Sequence, residues 1–321
     1  MKAESKDNSK IKNRYTIKER IGKGGYSKVY LAEDEINKKL YAIKVLNENN
    51  ESFENKIKIQ KQISSINNPY IINLIDFGES LIKIESTKNE NKQFAVLEYC
   101  SKGELYNYIL NSENGLEEKY AKLIFKKILL GVQSIHNLGI CHRDLKMENI
   151  LLDDSFNPKI CDFGFATEIK GKDGSGKLSD FLGTKNYAAP EIFLNKEYDG
   201  IKVDIFSLGV ILLNLVTCKI GFVKATLDDR YYKNIIFRNY ILYWKLLKNH
   251  IGEISNELKE LYLKMVDYNP DKRPNIEAIL KDPWMKEIND LNDEEYKKLE
   301  NEVYNKFKEL EVDVISKMEE D

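Results

Sequence analysis

A chain of 321 residues with 42% apolar side chains is long enough to bury a sizeable core, on the scale of one large or two modest domains. Fifty lysines and arginines against 52 acids leave a formal charge of -2, which excludes a general nucleic-acid binder held by a basic surplus. The polar start is no signal peptide, and the longest apolar runs, such as Ile205 to Val216, are interrupted or too short for a transmembrane segment. An intracellular protein is therefore expected, with Cys100, Cys141, Cys161 and Cys218 as reduced, buried thiols.

Residues 1–14 are polar and aperiodic and read as a flexible leader. Tyr15 to Ile21, Lys28 to Ala32 and Leu40 to Leu46 carry alternating or β-branched apolar residues with turn signals between them, which predicts an antiparallel meander. Between the first two lies Gly22-Lys23-Gly24-Gly25-Tyr26-Ser27-Lys28-Val29, where Gly22 and Gly24 would let backbone amides approach phosphates closely. A strand rather than a helix follows, which argues against a dinucleotide fold, and alone the run is equally an ordinary hairpin turn. Ala42-Ile43-Lys44 then sets a lysine among apolar neighbours, where it needs an anionic partner.

Ser52 to Ile66 has helical spacing, and Ile72 to Phe77 and Gln93 to Glu98 are further strand candidates. From Leu105 the pattern turns helical, with predicted helices at Tyr120 to Leu138, Asp204 to Thr217, Ile235 to Leu247, Glu257 to Val266 and Ile276 to Lys281. The expected architecture is α+β and bilobal: a small β-rich lobe with one main helix over residues 15–98, a hinge at 99–103, and a larger helical lobe at 104–285. A nucleotide would bind between the lobes. Residues 286–321 should form an amphipathic helix, with Tyr296, Leu299, Val303, Phe307, Leu310 and Val314 on one face and a strongly acidic opposite face. That helix would dock on the larger lobe or engage a partner.

Two segments carry the chemistry. His142-Arg143-Asp144-Leu145-Lys146-Met147-Glu148-Asn149 and Asp162-Phe163-Gly164 bring together an acid for a hydroxyl proton, a lysine for a phosphate and two oxygen ligands for magnesium. That set suits transfer of a phosphoryl group from ATP to a hydroxyl. With the glycine loop and Lys44 in the same order, the chain from Tyr15 to about Trp284 resembles the eukaryotic protein kinases.

The resemblance implies ATP and Mg2+ as cofactors and assigns roles by position. Asp144 would orient the substrate hydroxyl and accept its proton, Lys146 would steady the transferring phosphate, and Asn149 and Asp162 would hold the metal. Ile21, Gly22, Gly24, Ser27, Val29, Ala42, Lys44, Glu104 and Leu151 would line the ATP site. Leu97 would be the gatekeeper, with Glu98 and Cys100 contacting adenine through their backbone. Lys146 two residues after Asp144, together with Thr184, resembles the serine/threonine type, so protein substrates with Ser or Thr are implied. Arg143, Asp204 as a helix-start acid, and Glu191 paired with Arg273 would be structural supports; Phe206 stands where tryptophan is usual and should cost packing rather than chemistry.

The glycine loop and the run Glu98 to Leu105 are similar to those of calcium/calmodulin-dependent kinases. In that group, acids matching Glu104 and Glu148 favour arginine before the target residue, since arginine pairs bidentately with carboxylate. Asp180 occupies the place of an activating phosphothreonine and is expected to satisfy Arg143 without phosphorylation; Ser175 and Ser179 read either as phosphorylation sites or as ordinary exposed-loop serines. No EF-hand pattern is present, and the acidic tail does not look like a calmodulin target.

One departure bears on activity. The small-lobe helix should offer Lys44 a glutamate, but the matching position is Lys56 or, counted back from Pro69, Ile59; Glu54 or Glu51 would have to substitute. Losing that partner would cost roughly 2 to 5 kcal/mol. A scaffold that binds nucleotide and partners without transfer therefore stands as the alternative function.

Overall fold

β-Branched and aromatic residues at alternate positions build a six-stranded antiparallel sheet in the first part of the chain. In chain order the elements are β1 (Lys10–Ile11), β2 (Tyr15–Lys23), β3 (Ser27–Asp34), β4 (Leu40–Leu46), α1 (Phe53–Ser64), β5 (Leu74–Ile82) and β6 (Glu90–Glu98), and the spatial order of strands is β1-β2-β3-β4-β6-β5. The computed structural model describes residues 10–49, 52–82, 90–112, 114–171, 175–180, 182–194 and 197–318. These residues form two units, one running to Asn67 and including Ile71–Ser101, the other comprising Asn68–Tyr70 and the described residues from Lys102 on.

Register sorts the side chains of the first unit. Ile43 lies opposite Tyr30 and Val96, and with Tyr15, Ala32, Val45 and Phe94 these residues form the sheet's core. The intervening residues of each strand face the other way.

The expected leader ends earlier than 14. Lys10 and Ile11 pair with Thr16 and Tyr15 around a turn whose central residues, Lys12 and Asn13, have φ of 52° and 51°, and Arg14 N donates to the Ile11 carbonyl at 3.1 Å. This is the mirror-image turn that matches strand twist, and Asn tolerates it well. Ile11 and Tyr15 are fully buried. Residues 1–9 of the leader, and Glu51, lie outside the described residues.

The second unit begins with α2 (Leu105–Asn111) and α3 (Glu118–Asn137), followed by the short strands β7 (Ile140–Cys141), β8 (Ile150–Leu152), β9 (Pro158–Ile160) and β10 (Thr167–Glu168). It continues through α4 (Pro190–Phe193), α5 (Gly200–Thr217), α6 (Tyr232–Ile236), α7 (Tyr240–Leu247), α8 (Asn256–Met265), α9 (Ile276–Leu280), α10 (Lys286–Asn289) and α11 (Asp293–Met318). The helix α5 is apolar and long enough to cross a membrane, yet 89% of it is buried inside the unit, as befits a central core helix. The helix expected over 235–247 is two helices. Arg238 takes a left-handed φ of 57° and Asn239 then caps α7 by accepting from Leu242 N at 3.3 Å. No disulfide joins the four cysteines; Cys100 and Cys141 are buried, whereas Cys161 and Cys218 are only partly so.

The C-terminal segment forms α10 and α11 rather than one continuous helix. Val303, Phe307, Leu310 and Val314 are buried, and the Phe307 ring lies 5.5 Å from Tyr108 and 5.7 Å from Phe156. Acids of α11 meet lysines of the same unit, Glu311 with Lys102, Glu302 with Lys119 and Glu300 with Lys127. The docked helix therefore uses its apolar face internally. Burying a large apolar side chain is worth about 1.5–3 kcal/mol, so deleting α11 should cost on the order of 5 kcal/mol or more. Truncation after Asn292 is expected to lower the thermal midpoint by at least about 10 °C. An unchanged melt would show that the docking adds nothing to stability.

Candidate active site

The residues expected around a nucleotide fall into two sets. In the first unit, Val29 lies opposite Lys44, Lys44 opposite Ala95, and Ala42 opposite both Leu31 and Leu97. Directly opposed residues share a face, so Val29, Ala42, Lys44 and Leu97 stand together on the side of the sheet away from its core. The β2–β3 turn closes with Gly24 N donating to the Ser27 carbonyl at 2.8 Å, and Gly22 pairs with Val29. A Cβ on Gly22 would stand 3.4 Å from Val29 Cβ, at the edge of ordinary van der Waals contact. Ile21 is exposed, while Ser27 and Cys100 are buried. Glu98 N is committed to the Asn73 carbonyl at 3.0 Å, so a base would meet Glu98 through its carbonyl.

On α1 the two positions matched to the family's glutamate are Lys56 and Ile59, neither of them acidic. Lys56 and Glu54 are exposed, whereas Ile59 and Gln60 are partly buried. Gln60 Nε2 is buried with no hydrogen-bond partner among the described residues.

The second unit holds the catalytic candidates, together with Glu104 and Leu151. Pairing of β7 with β10 and of β8 with β9 folds the 142–149 segment against 161–166, and Cys161 N donates to the Asn149 carbonyl at 2.9 Å. Asp144 is the hub. Its Oδ1 accepts from Thr184 N at 3.0 Å and Thr184 Oγ1 at 2.9 Å; its Oδ2 accepts from Asn149 Nδ2 at 3.1 Å and lies 3.1 Å from Lys146 Nζ. Lys146 Nζ also donates to Thr184 Oγ1 at 3.0 Å, which closes a triangle of acid, lysine and hydroxyl. Gly183 makes the approach feasible: its φ is 103°, and a Cβ there would sit 2.9 Å from the Arg143 carbonyl.

Asn149 Nδ2 donates to the Asp144 carbonyl at 2.8 Å as well, which assigns Oδ1 as the amide atom available to a cation. Asp162 takes a left-handed conformation at φ 57°, and its Oδ1 accepts from Gly164 N at 3.2 Å. Among the described residues no three His, Cys, Asp or Glu side chains cluster to hold a metal. Two oxygen donors suit magnesium that brings phosphate oxygens and water as its remaining ligands.

Beneath the catalytic segment lies Asp204, fully buried on α5. It accepts from His142 N and Arg143 N, both at 2.8 Å, and its Oδ2 accepts from His136 Nε2 at 2.8 Å. Burial pushes this carboxyl upward, but His136 and the backbone donors outweigh that and hold it below the ordinary carboxylate value. Its contribution to stability is present above the ordinary value and is lost as pH falls through the depressed one. The expectation of a helix-start acid needs correcting: α5 begins at Gly200 and Asp199 caps it, accepting from Ile201 N at 2.8 Å, so Asp204 sits past the first turn. His142 Nε2 lies 3.0 Å from the Cys161 carbonyl, which can only accept, so the ring proton is on Nε2.

Arg143 Nη1 donates to Asp180 Oδ2 at 3.0 Å and to Tyr198 OH at 3.3 Å, while its Nε donates to the Phe165 carbonyl at 2.8 Å. Glu191 and Arg273 form a buried bidentate pair, both contacts at 2.7 Å, and the guanidinium lies 5.0 Å from the Phe206 ring centre. Phe206 itself packs against Phe222 and Tyr232, so an aromatic platform survives the loss of tryptophan.

The family model described as protein kinase domain matches residues 15–285. The chain belongs to the protein kinase family. It is 35% identical over 288 residues to CBL-interacting serine/threonine-protein kinase 13 of Arabidopsis thaliana, covering 86% of this chain and 52% of that protein. It is 33% identical over 274 residues to sperm motility kinase 2B of Mus musculus, with 85% and 52% covered. Serine/threonine-protein kinase kin-29 of Caenorhabditis elegans is 34% identical over 271 residues, with 84% and 31% covered. The chain spans about half the length of the first two relatives and less of the third. Within the kinase family it resembles the serine/threonine type of the calcium/calmodulin-dependent group.

Sequence reading passed over His136 and Tyr198. His136 meets Asp204 across 68 positions in sequence, and Tyr198 meets Arg143 across 55 and also Asp180. The only local signal was a histidine shortly before the catalytic run.

Proposed function

We propose that this protein is a serine/threonine protein kinase that transfers the γ-phosphoryl group of ATP to Ser and Thr hydroxyls of protein substrates. The observation that carries the reading is the Asp144–Lys146–Thr184 triangle, which leaves a carboxylate and an ammonium ion side by side, held by a hydroxyl. Asp144 orients an incoming hydroxyl and takes its proton, Lys146 faces the phosphate, and Thr184 fixes the distance between them. Asn149 Oδ1 and Asp162 would hold Mg2+, which when bound neutralises charge on the phosphate oxygens. Lys44, Val29, Ala42 and Leu97 share the sheet face that would receive the nucleotide, and the loop at Gly22 and Gly24 would meet its phosphates.

The same reading gives a preference for basic residues before the acceptor. Glu148 Oε2 is buried without a hydrogen-bond partner among the described residues. Burial first, and then the Glu148 charge, push the Glu104 carboxyl above its ordinary value. Two carboxylates that repel each other are relieved by an arginine. The test is phosphate incorporation into Ser/Thr peptide libraries with and without arginine before the acceptor, compared with Asp144→Asn. Equal transfer to both libraries would reject the basic preference, and no transfer above the variant would reject the kinase reading.

Asp180 stands in for an activating phosphate in this reading, since its carboxylate already meets Arg143. Phosphatase-treated protein from bacteria is expected to keep its activity, and Asp180→Ala to lose roughly tenfold, the worth of one charge-assisted hydrogen bond. Protein that is inert until an upstream kinase acts would contradict this.

A further inference from the structure

Several large apolar residues of the second unit are exposed, Val223, Leu227 and Val312 among them, and the two most exposed lie close together in sequence. Phe237 and Ile241 are 70% and 87% exposed, and Leu242 is 38% exposed. Ile241 and Lys245 lie four apart on the exposed face of α7 and exposed Lys248 follows at its C-cap, while Tyr243 and Leu247 are buried. The inward face is fully occupied: Tyr243 OH and Tyr262 OH lie 2.7 Å apart and their rings stack. The outer residues are therefore not held out by an unfilled core.

Beside α7 runs a groove of about 580 Å³ lined by Trp244, Ile251 and Ile254 and by Lys245, Lys248 and Lys259. Glu253 is the acid in that lining. The stretch from Lys219 to Lys248 carries seven cations (Lys219, Lys224, Arg230, Lys233, Arg238, Lys245, Lys248) against Asp228 and Asp229, in a chain whose formal charge is -2. Asp229 is spent on backbone, accepting from Val223, Lys224, Tyr231 and Tyr232 N–H groups. Exposed apolar anchors beside a concave, cationic groove call for a ligand that is both apolar and acidic.

We propose that α7 and the adjoining groove are a docking surface for an acidic segment of a partner protein, one apolar side chain of which enters the groove while its carboxylates meet Lys245, Lys248 and Lys259. Concavity favours a protein segment over an anionic membrane, because a bilayer meets convex surfaces and cannot send a side chain into the groove.

The test uses the full chain and fluorescent peptides rich in Asp and Glu with leucine or phenylalanine at helical spacing. Lysine-for-acid versions of the peptides and vesicles of phosphatidylcholine with phosphatidylserine serve as alternatives. The acidic peptides are expected to bind and to perturb amide resonances of Phe237 to Lys259. Ile241→Ser combined with Lys245→Glu and Lys248→Glu, all exposed positions, should weaken binding by roughly tenfold or more. The variant's melt should be unchanged. Binding that the variant retains, absence of binding by every acidic peptide, vesicle binding in place of peptide binding, or self-association that the variant abolishes would each overturn the proposal. Peptide binding is read separately from phosphate transfer, so binding without transfer would count against the kinase reading and for this surface.

Discussion

Asp144→Asn is expected to lower phosphate transfer by about 100- to 10,000-fold, the range associated with losing a positioned acid or base. Each oxygen of Asp144 receives donors, Oδ1 from Thr184 and Oδ2 from Asn149, with the Lys146 ammonium beside Oδ2. An amide at this position must turn an NH2 group toward one of those donors, so the triangle opens as the basic oxygen disappears. The cost to folding should be modest, about 1–3 kcal/mol for the mismatched donors. Steady-state kinetics alongside a thermal melt separate the two effects: a large loss of transfer in a folded protein fits the proposed role. A variant within a few-fold of wild type would mean that another group handles the hydroxyl.

The largest effect on stability is expected at Arg273. Its side chain is fully buried and serves Glu191 through both oxygens, the Lys202 carbonyl at 2.9 Å and the Asp267 carbonyl at 2.9 Å, above the face of Phe206. Arg273→Ala removes all of these and strands the Glu191 carboxylate. Breaking one side of such a pair costs about 3–5 kcal/mol, against a total of roughly 5–15 kcal/mol for a folded domain. The thermal midpoint should fall by about 10 °C or more. Arg273→Met with Glu191→Leu should recover part of that loss, because no charge is then left buried. If Arg273→Ala melts like wild type, the pair is not the anchor that its geometry suggests.

Parts of the site were legible because chemistry restricts residue type. Aspartate, lysine and asparagine at 144, 146 and 149 answer to the needs of a hydroxyl proton and a phosphate, and Leu40–Leu46 shows its strand by plain alternation. The contact from Thr184 back to Asp144 spans forty residues, so only the family resemblance could pair them. Tyr198 and His136 left no pattern, since a single polar residue that reaches its partner through the tertiary fold has no period to read. The first hairpin was missed because a two-residue strand cannot show alternation. The break between α6 and α7 was missed because Arg238 adopts a left-handed conformation without glycine, although Asn239 was a legible cap. Asp204 was expected at a helix start but lies past the first turn of α5, because Asp199 takes the cap.

The triangle at Asp144, the Asn149 contacts and the Arg143–Asp180 pair all lie within the second unit, whereas Lys56 and Ile59, the non-acidic residues at the matched positions of α1, lie in the first.

The most direct measurement is transfer of labelled phosphate from ATP, with Mg2+ present, to a mixed library of serine, threonine and tyrosine peptides, followed by sorting of the products by phosphoamino acid. Phosphoserine and phosphothreonine that vanish with Asp144→Asn are predicted. Phosphotyrosine alone, or label incorporated equally by the variant, would contradict the account.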